Sequence, residues 1–325
     1  MEQLKQELLE LAKTCGADLM GVAPASRFAP EDKVFRIFPG VKSVVCFVFR
    51  NLRGSYRGVE EGTTYYQYTT MSVENTEETV MPVALVRLAN LIESRGFTAV
   101  PQRRHQTIME TKDGMNPEVA YDAITRDRPQ EPQMDFVDAA VRCGVGEKGF
   151  HGALLTDEFG PFLRLCFILT DAELPADPVK APHLCDACQK AEGASPRPCA
   201  AGCPGKCVDP ATGAVDAWRC AAYYNGANGT KNPFMPPDAF PDFEDRLKII
   251  AGEADIDPEK ARKIMDAIYF YQPAQHAYQC SICGRACDMA CYSRLEQLGL
   301  LTRKFRKPFR YRPEWRFPLS DFERE

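Results

Sequence analysis

Eight cysteines in two separated groups constrain this 325-residue chain more than any other feature. The first group is Cys185, Cys188, Cys199 and Cys203, the last followed by Pro204; the second is Cys220, Cys280, Cys283 and Cys287. A CxxC pair on a tight turn aims two sulfurs at one metal site while the intervening amides face inorganic sulfide. In a two-cluster ferredoxin module, three close thiolates hold one cube and the fourth, before proline, serves the other. The spacing therefore predicts two [4Fe-4S] clusters. One falls on Cys185, Cys188, Cys199 and Cys287, the other on Cys220, Cys280, Cys283 and Cys203. Cys207 and Cys291 are then spare, although Cys291 could replace Cys287, and Cys207 could replace Cys203, without breaking a spacing rule.

The pattern departs from a compact CxxCxxCxxxCP run in three places. Ten residues separate Cys188 from Cys199, fifty-nine separate Cys220 from Cys280, and Asp288 stands where a proline would follow Cys287. Structural zinc is the competing reading, with Cys185, Cys188, Cys280 and Cys283 as two ligand pairs, but it leaves the other four cysteines unexplained. Disulfides need an oxidising compartment. The chain begins MEQLKQELLELAKTCG, a charged amphipathic helix without an apolar signal region, which leads us to expect a cytoplasmic protein.

No stretch approaches the ~20 consecutive apolar residues of a membrane helix, so no membrane partner is expected. The net charge of -5 gives the molecule little attraction for nucleic acid. Residues 303–316, RKFRKPFRYRPEWR, are the exception, with seven Lys or Arg interleaved with Phe305, Phe309, Tyr311 and Trp315. Such a segment could grip phosphates and stack bases. Without a nucleic-acid-binding fold around it, it reads as a C-terminal arm (301–325) lying across the protein.

Leu4, Leu8, Leu11 and Cys15 share one face of a first helix that stops at Gly16. A short strand over 18–22 follows, and then VKSVVCFVFR (41–50), an apolar run expected of a strand buried on both faces. A long helix over 77–94, a strand at FTAVP, loops around short helices over 102–133, and a helix near 135–142 come next. Two further strands, HGALLT and FLRLCFIL, flank a turn at 156–161. Alternating helices and strands indicate an α/β or α+β domain over 1–177. Pro175, Pro178 and Pro182 lead into a loop-rich second domain (178–300), which needs metal clusters as staples and carries a helical insertion over about 242–270.

Between a helix and a strand, CGVGEKGFHGALLTDEFGPFLRL (143–165) sets Gly144, Gly146, Gly149 and Gly152, which permit close approach of a ligand to bare backbone. It is not a dinucleotide fingerprint, because it follows a helix rather than a strand. This stretch, followed at once by the cysteine module, resembles the matching region of the reductive dehalogenases and epoxyqueuosine reductases. The order of motifs agrees over 41–291, including TTYYQY and WRCAAYY.

The resemblance implies an α+β, nitroreductase-like core that binds base-off cobalamin, followed by a loop-rich ferredoxin-like double [4Fe-4S] domain. It implies an oxidoreductase that passes electrons through the clusters to the corrinoid and cleaves a carbon–heteroatom bond of a small-molecule substrate. Ferredoxin or flavodoxin would be the electron donor. Gly144, Gly146, Gly149, His151 and Gly152 would approach the cofactor.

Tyr66 and Asp138 are the candidates for proton transfer, with Arg142 or Lys148 as the cation beside the phenol. The aspartate expected upstream of the glycine stretch falls near Gln130, and Asp127 or Asp135 would be guesses for it. The alternatives are a corrinoid-free iron–sulfur electron carrier or activator of a partner protein, or a tRNA-modifying epoxyqueuosine reductase.

Overall fold

The computed structural model describes residues 1–103, 134–193, 195–268 and 281–323, with the short strands Ala274–Gln275 and Tyr278–Gln279. The expectations attached to Cys280, Asp127 and Gln130 lie outside the described residues.

Four strands form the main sheet: β1 (Leu19–Pro24), β2 (Ser43–Arg50), β3 (Ala99–Arg103) and, after the short β4 (Glu147–Lys148) and β5 (Leu154–Leu155), β6 (Leu163–Thr170). Their spatial order is β1-β2-β6-β3, and every neighbouring pair is antiparallel. Val45 faces Val22 on one side and Ile168 on the other. The alternation of the strand divides the interior in two. Val45, Phe47 and Phe49 pack under helices Glu2–Thr14 and Met81–Glu93, whereas Val44, Cys46 and Val48 pack under helix Phe136–Arg142. Both faces are covered, which is why β2 and β6 read as continuous apolar runs although their pairing is antiparallel.

One expectation changes. The long helix over 77–94 is an α-helix only over Met81–Glu93; before it, Thr69–Val80 is a wider π-helix. The Thr76 hydroxyl donates to Met71 O at 2.7 Å and the Thr79 hydroxyl to Glu74 O at 3.2 Å, each five residues back. Side chains that bond five residues upstream favour the wider turn. The two strands flank the turn at 156–161, and they belong to different sheets: β5 pairs with β4, while β6 lies at the centre of the main sheet.

The cysteine-bearing half joins this sheet through an aromatic stack. Phe162 lies between Tyr56 (3.9 Å, 7°) and Tyr292 (4.2 Å, 2°), and Phe309 meets it edge-on. A separate apolar cluster around Trp218, Ala222, Ile249, Ile250 and Ile264 is built from helices Ala217–Tyr224, Arg246–Ala251 and Pro258–Ile268. The last two helices occupy the expected insertion.

The arm is packed down. Phe309 is buried, Trp315 covers Gly62, and the guanidinium of Arg57 stacks on Tyr311 at 4.3 Å. Arg310 pairs with Glu60. Among the described residues no helix is long and apolar enough to cross a membrane.

Candidate redox site

Glu147 ties the glycine segment to the first cysteine pair. Its buried carboxylate accepts hydrogen bonds from the amides of His183 (2.5 Å), Leu184 (3.0 Å) and Cys185 (2.8 Å). These amides open helix Leu184–Glu192, whose N-terminus leaves such donors without intrahelical partners and favours a negative charge. The segment 147–151 is thereby fixed against Cys185, and the amide of Phe150 reaches Cys185 Sγ at 3.3 Å. Arg197, stacked on the Phe150 ring, donates to the same sulfur at 2.8 Å. Two N–H donors on one sulfur are an arrangement that orients a cluster ligand.

Cys185, Cys188, Cys199 and Cys291 line one cavity together with His151 and Arg197. Cys287, one helical turn before Cys291, is not among its lining residues. Burial pushes the Cys199 thiol up to about 11 and raises Cys188 and Cys291 as well. Among the described residues no three cysteine sulfurs all lie within 4.8 Å of one another. The four thiols that converge on the first cavity match, in kind and number, the donor set of an iron–sulfur core or of a structural zinc ion.

Cys203, Cys207 and Cys220 form the second group, with Cys207 hydrogen-bonded to both neighbours. The Cys207 amide also donates to Cys203 Sγ at 3.3 Å. The Cys207 thiol holds Cys203 down at about 6 and lowers Cys220, whereas burial raises Cys283 to about 12.

On the other side of the glycine segment lies a cavity of about 460 Å³. Its charged lining is Glu77, Asp135, Arg164, Arg285 and Asp288, and its apolar wall includes Leu154 and Leu163; of the described aspartates considered for proton transfer, Asp135 is thus the one that lines this cavity. Arg164 donates to Tyr68 Oη at 2.9 Å and stands 3.6 Å from Glu77. Arg285 holds Asp288 at 2.6 Å from a left-handed backbone (φ 58°), a conformation costly for a residue with a side chain. Burial alone would raise the Asp288 carboxyl, but Arg285 and His151 outweigh it and leave it below the ordinary carboxylate value.

The two cavities share a wall. His151 lines the thiol cavity, Asp288 lines the polar one, and His151 Nε2 lies 2.8 Å from Asp288 Oδ1. Cys287 Sγ joins them, its sulfur, the histidine nitrogen and the carboxylate oxygen all lying within 4.8 Å. Because Asp288 already serves His151 and Arg285, this trio reads as a hydrogen-bonded partition rather than an ion site.

The five residues of the glycine segment have separate places. Gly152 lines the polar cavity at φ +79°, with nothing within 4 Å of where a Cβ would stand. His151 is on the thiol side. A Cβ on Gly144 would sit 2.2 Å from Pro178 O, and one on Gly146 2.3 Å from Leu155 O, so these two admit close chain packing. Gly149 lies against Leu155.

Tyr66 is half-buried near the aromatic stack, and Tyr68 is the tyrosine that meets a cation. Asp138 pairs with Arg142 at 2.6 Å on the surface of its own helix, and Lys148 is exposed. Sequence reasoning missed Glu147, Arg164 and Arg285 as site residues, and within the tyrosine cluster Tyr65, Tyr66 and Tyr68 it singled out Tyr66 rather than Tyr68. A glutamate inside a glycine run and an arginine inside an apolar strand were the available signals for two of them.

No family model and no curated protein matches the chain. Its structural neighbours are epoxyqueuosine reductases and reductive dehalogenases. Epoxyqueuosine reductase from Bacillus subtilis aligns at 16% identity and TM-score 0.45, over 89% of this chain and 70% of that one. An epoxyqueuosine reductase with a tRNA-Tyr epoxyqueuosine-modified stem loop aligns at 17% and 0.45, over 86% and 69%. A catabolic reductive dehalogenase in complex with 3-bromo-4-hydroxybenzoic acid aligns at 15% and 0.48, over 86% and 37%.

Proposed function

We propose that this chain is an iron–sulfur reductase in which a ferredoxin-like cysteine module delivers electrons to a small molecule held in the neighbouring polar cavity. The observation that carries this reading is the shared wall: a cavity lined by four thiols and a cavity of small-ligand size are separated by the His151–Asp288 hydrogen bond. Two [4Fe-4S] clusters would account for both groups of thiols, which one or two zinc ligand pairs would not. Cys185, Cys188 and Cys199 would hold one, and Cys203, Cys220, Cys283 and Cys280 the other.

The bare backbone of Gly152 beside Leu154 and Leu163 fits the flat approach of a ring system such as a corrin, with the α+β domain serving as a nitroreductase-like core. A bound cobalamin would supply the low-potential metal for reductive cleavage of a carbon–heteroatom bond. The chain's own part is electrostatic and positional. Arg164 and Arg285, each offset by a carboxylate, would orient a polar or anionic substrate group. Tyr68, whose hydroxyl oxygen accepts a hydrogen bond from the cavity-lining Arg164, is our proposed proton donor in place of Tyr66 or Asp138.

The test is anaerobic titration of the iron-loaded protein with cobalamin, followed by optical and EPR spectroscopy. A base-off Co(II) signal at one equivalent, weakened in Gly152→Val, supports the reading. Reducible clusters with no corrinoid binding would instead favour an electron carrier serving a partner protein.

A further inference from the structure

We infer that Cys291, and not Cys287, supplies the fourth thiolate of the first iron–sulfur site, an assignment that rests on the cluster reading above. Cys287 and Cys291 lie four residues apart on helix Ala286–Gln297. At 1.5 Å rise per residue they are separated by roughly 6 Å along the axis, enough to decide which one reaches a given cavity.

Three contacts set the helix so that Cys291 faces the other three thiols. Arg294 pairs with Glu192 at 2.6 Å, fastening this helix to the one that carries Cys185 and Cys188. Gly202 allows the helix against the turn carrying Cys199, since a Cβ there would stand 2.8 Å from Ala290 Cβ. Leu295, one turn beyond Cys291, lines the same cavity, as residues four apart share a helix face. Cys291 is therefore held at the register of Cys188 and Cys199.

Cys287 has other neighbours. Its sulfur lies 4.0 Å from Asp288 Oδ1 and within 4.8 Å of a ring nitrogen of His151, at the partition between the cavities. The Asp288 carboxylate bears on both sulfurs and Arg285 stands beside Cys287, so position rather than charge separates the two: Cys291 lines the cavity of the other three thiols and Cys287 does not.

The experiment compares Cys188→Ser, Cys287→Ser and Cys291→Ser after anaerobic reconstitution, by iron content and by EPR of the reduced protein. Cys188→Ser defines the signal of the first cluster. Cys291→Ser is expected to abolish or shift that same signal and to lose up to about half of the bound iron. Cys287→Ser is expected to keep that signal intact. Loss of the signal in Cys287→Ser, or its persistence unchanged in Cys291→Ser, overturns the assignment. If Cys291→Ser fails to fold, the Cys287→Ser arm alone decides. Wild-type protein that takes up no iron would refute the cluster reading itself, an outcome distinct from either.

Discussion

Replacing Glu147 by glutamine keeps its size and removes its charge at the one point where the glycine segment is fastened to the cysteine module. The carboxylate accepts three backbone N–H groups, two on Oε2 and one on Oε1. An amide offers one acceptor oxygen and one donor nitrogen. Whichever way it turns, at least one amide N–H then faces another donor inside a buried site. A hydrogen bond to a charged group contributes ~1.5–3 kcal/mol, and an anion at a helix N-terminus adds ~0.3–2 kcal/mol. The expected loss is about 3 kcal/mol, on the order of 6 °C in the unfolding midpoint of a domain this size.

Glu7→Gln is the control, because its pairing with the exposed side chain of Arg95 is of the kind that contributes only ~0–1 kcal/mol. Thermal unfolding of the reconstituted proteins, followed by circular dichroism under anaerobic conditions, measures both. If Glu147→Gln melts no lower than Glu7→Gln, the argument that this carboxylate anchors the module is wrong.

Arg164→Met alone leaves Glu77 buried without its cation and should cost ~3–5 kcal/mol, whereas the double variant Arg164→Met/Glu77→Leu should recover most of that in urea unfolding; a double variant as unstable as the single one would show that the pair is not coupled. Gly62→Val adds a side chain at φ +68° and 2.5 Å from Trp315, so the arm should lift. Its tryptophan emission should shift to the red and cleavage over 303–316 should accelerate, and unchanged proteolysis would contradict the packing described for the arm.

What the sequence made legible was burial. The unbroken apolar runs of β2 and β6 announced strands covered on both faces, and the Leu4/Leu8 stripe announced the first helix, because periodicity records which side of an element meets the core. The partners across that core were not legible. Glu147 meets amides 36 to 38 residues away, Arg164 meets Tyr68 across 96 residues, and local spacing carries no information about such pairings.

The π-helix at Thr69–Val80 was hidden for a related reason. Its Thr and Asn side chains bond five residues back, a preference that looks like ordinary helix in a hydrophobic pattern. For the cysteines, spacing indicated a two-site module, but which of Cys287 and Cys291 reaches a site depends on how one helix is fastened to another by Arg294 and Glu192.

The central claim is that the two groups of thiols hold polynuclear iron–sulfur cores. Metal and acid-labile sulfide analysis of protein purified and reconstituted without oxygen tests it most directly. The account predicts about eight irons and eight sulfides per chain. One or two zinc ions per chain without sulfide would contradict it.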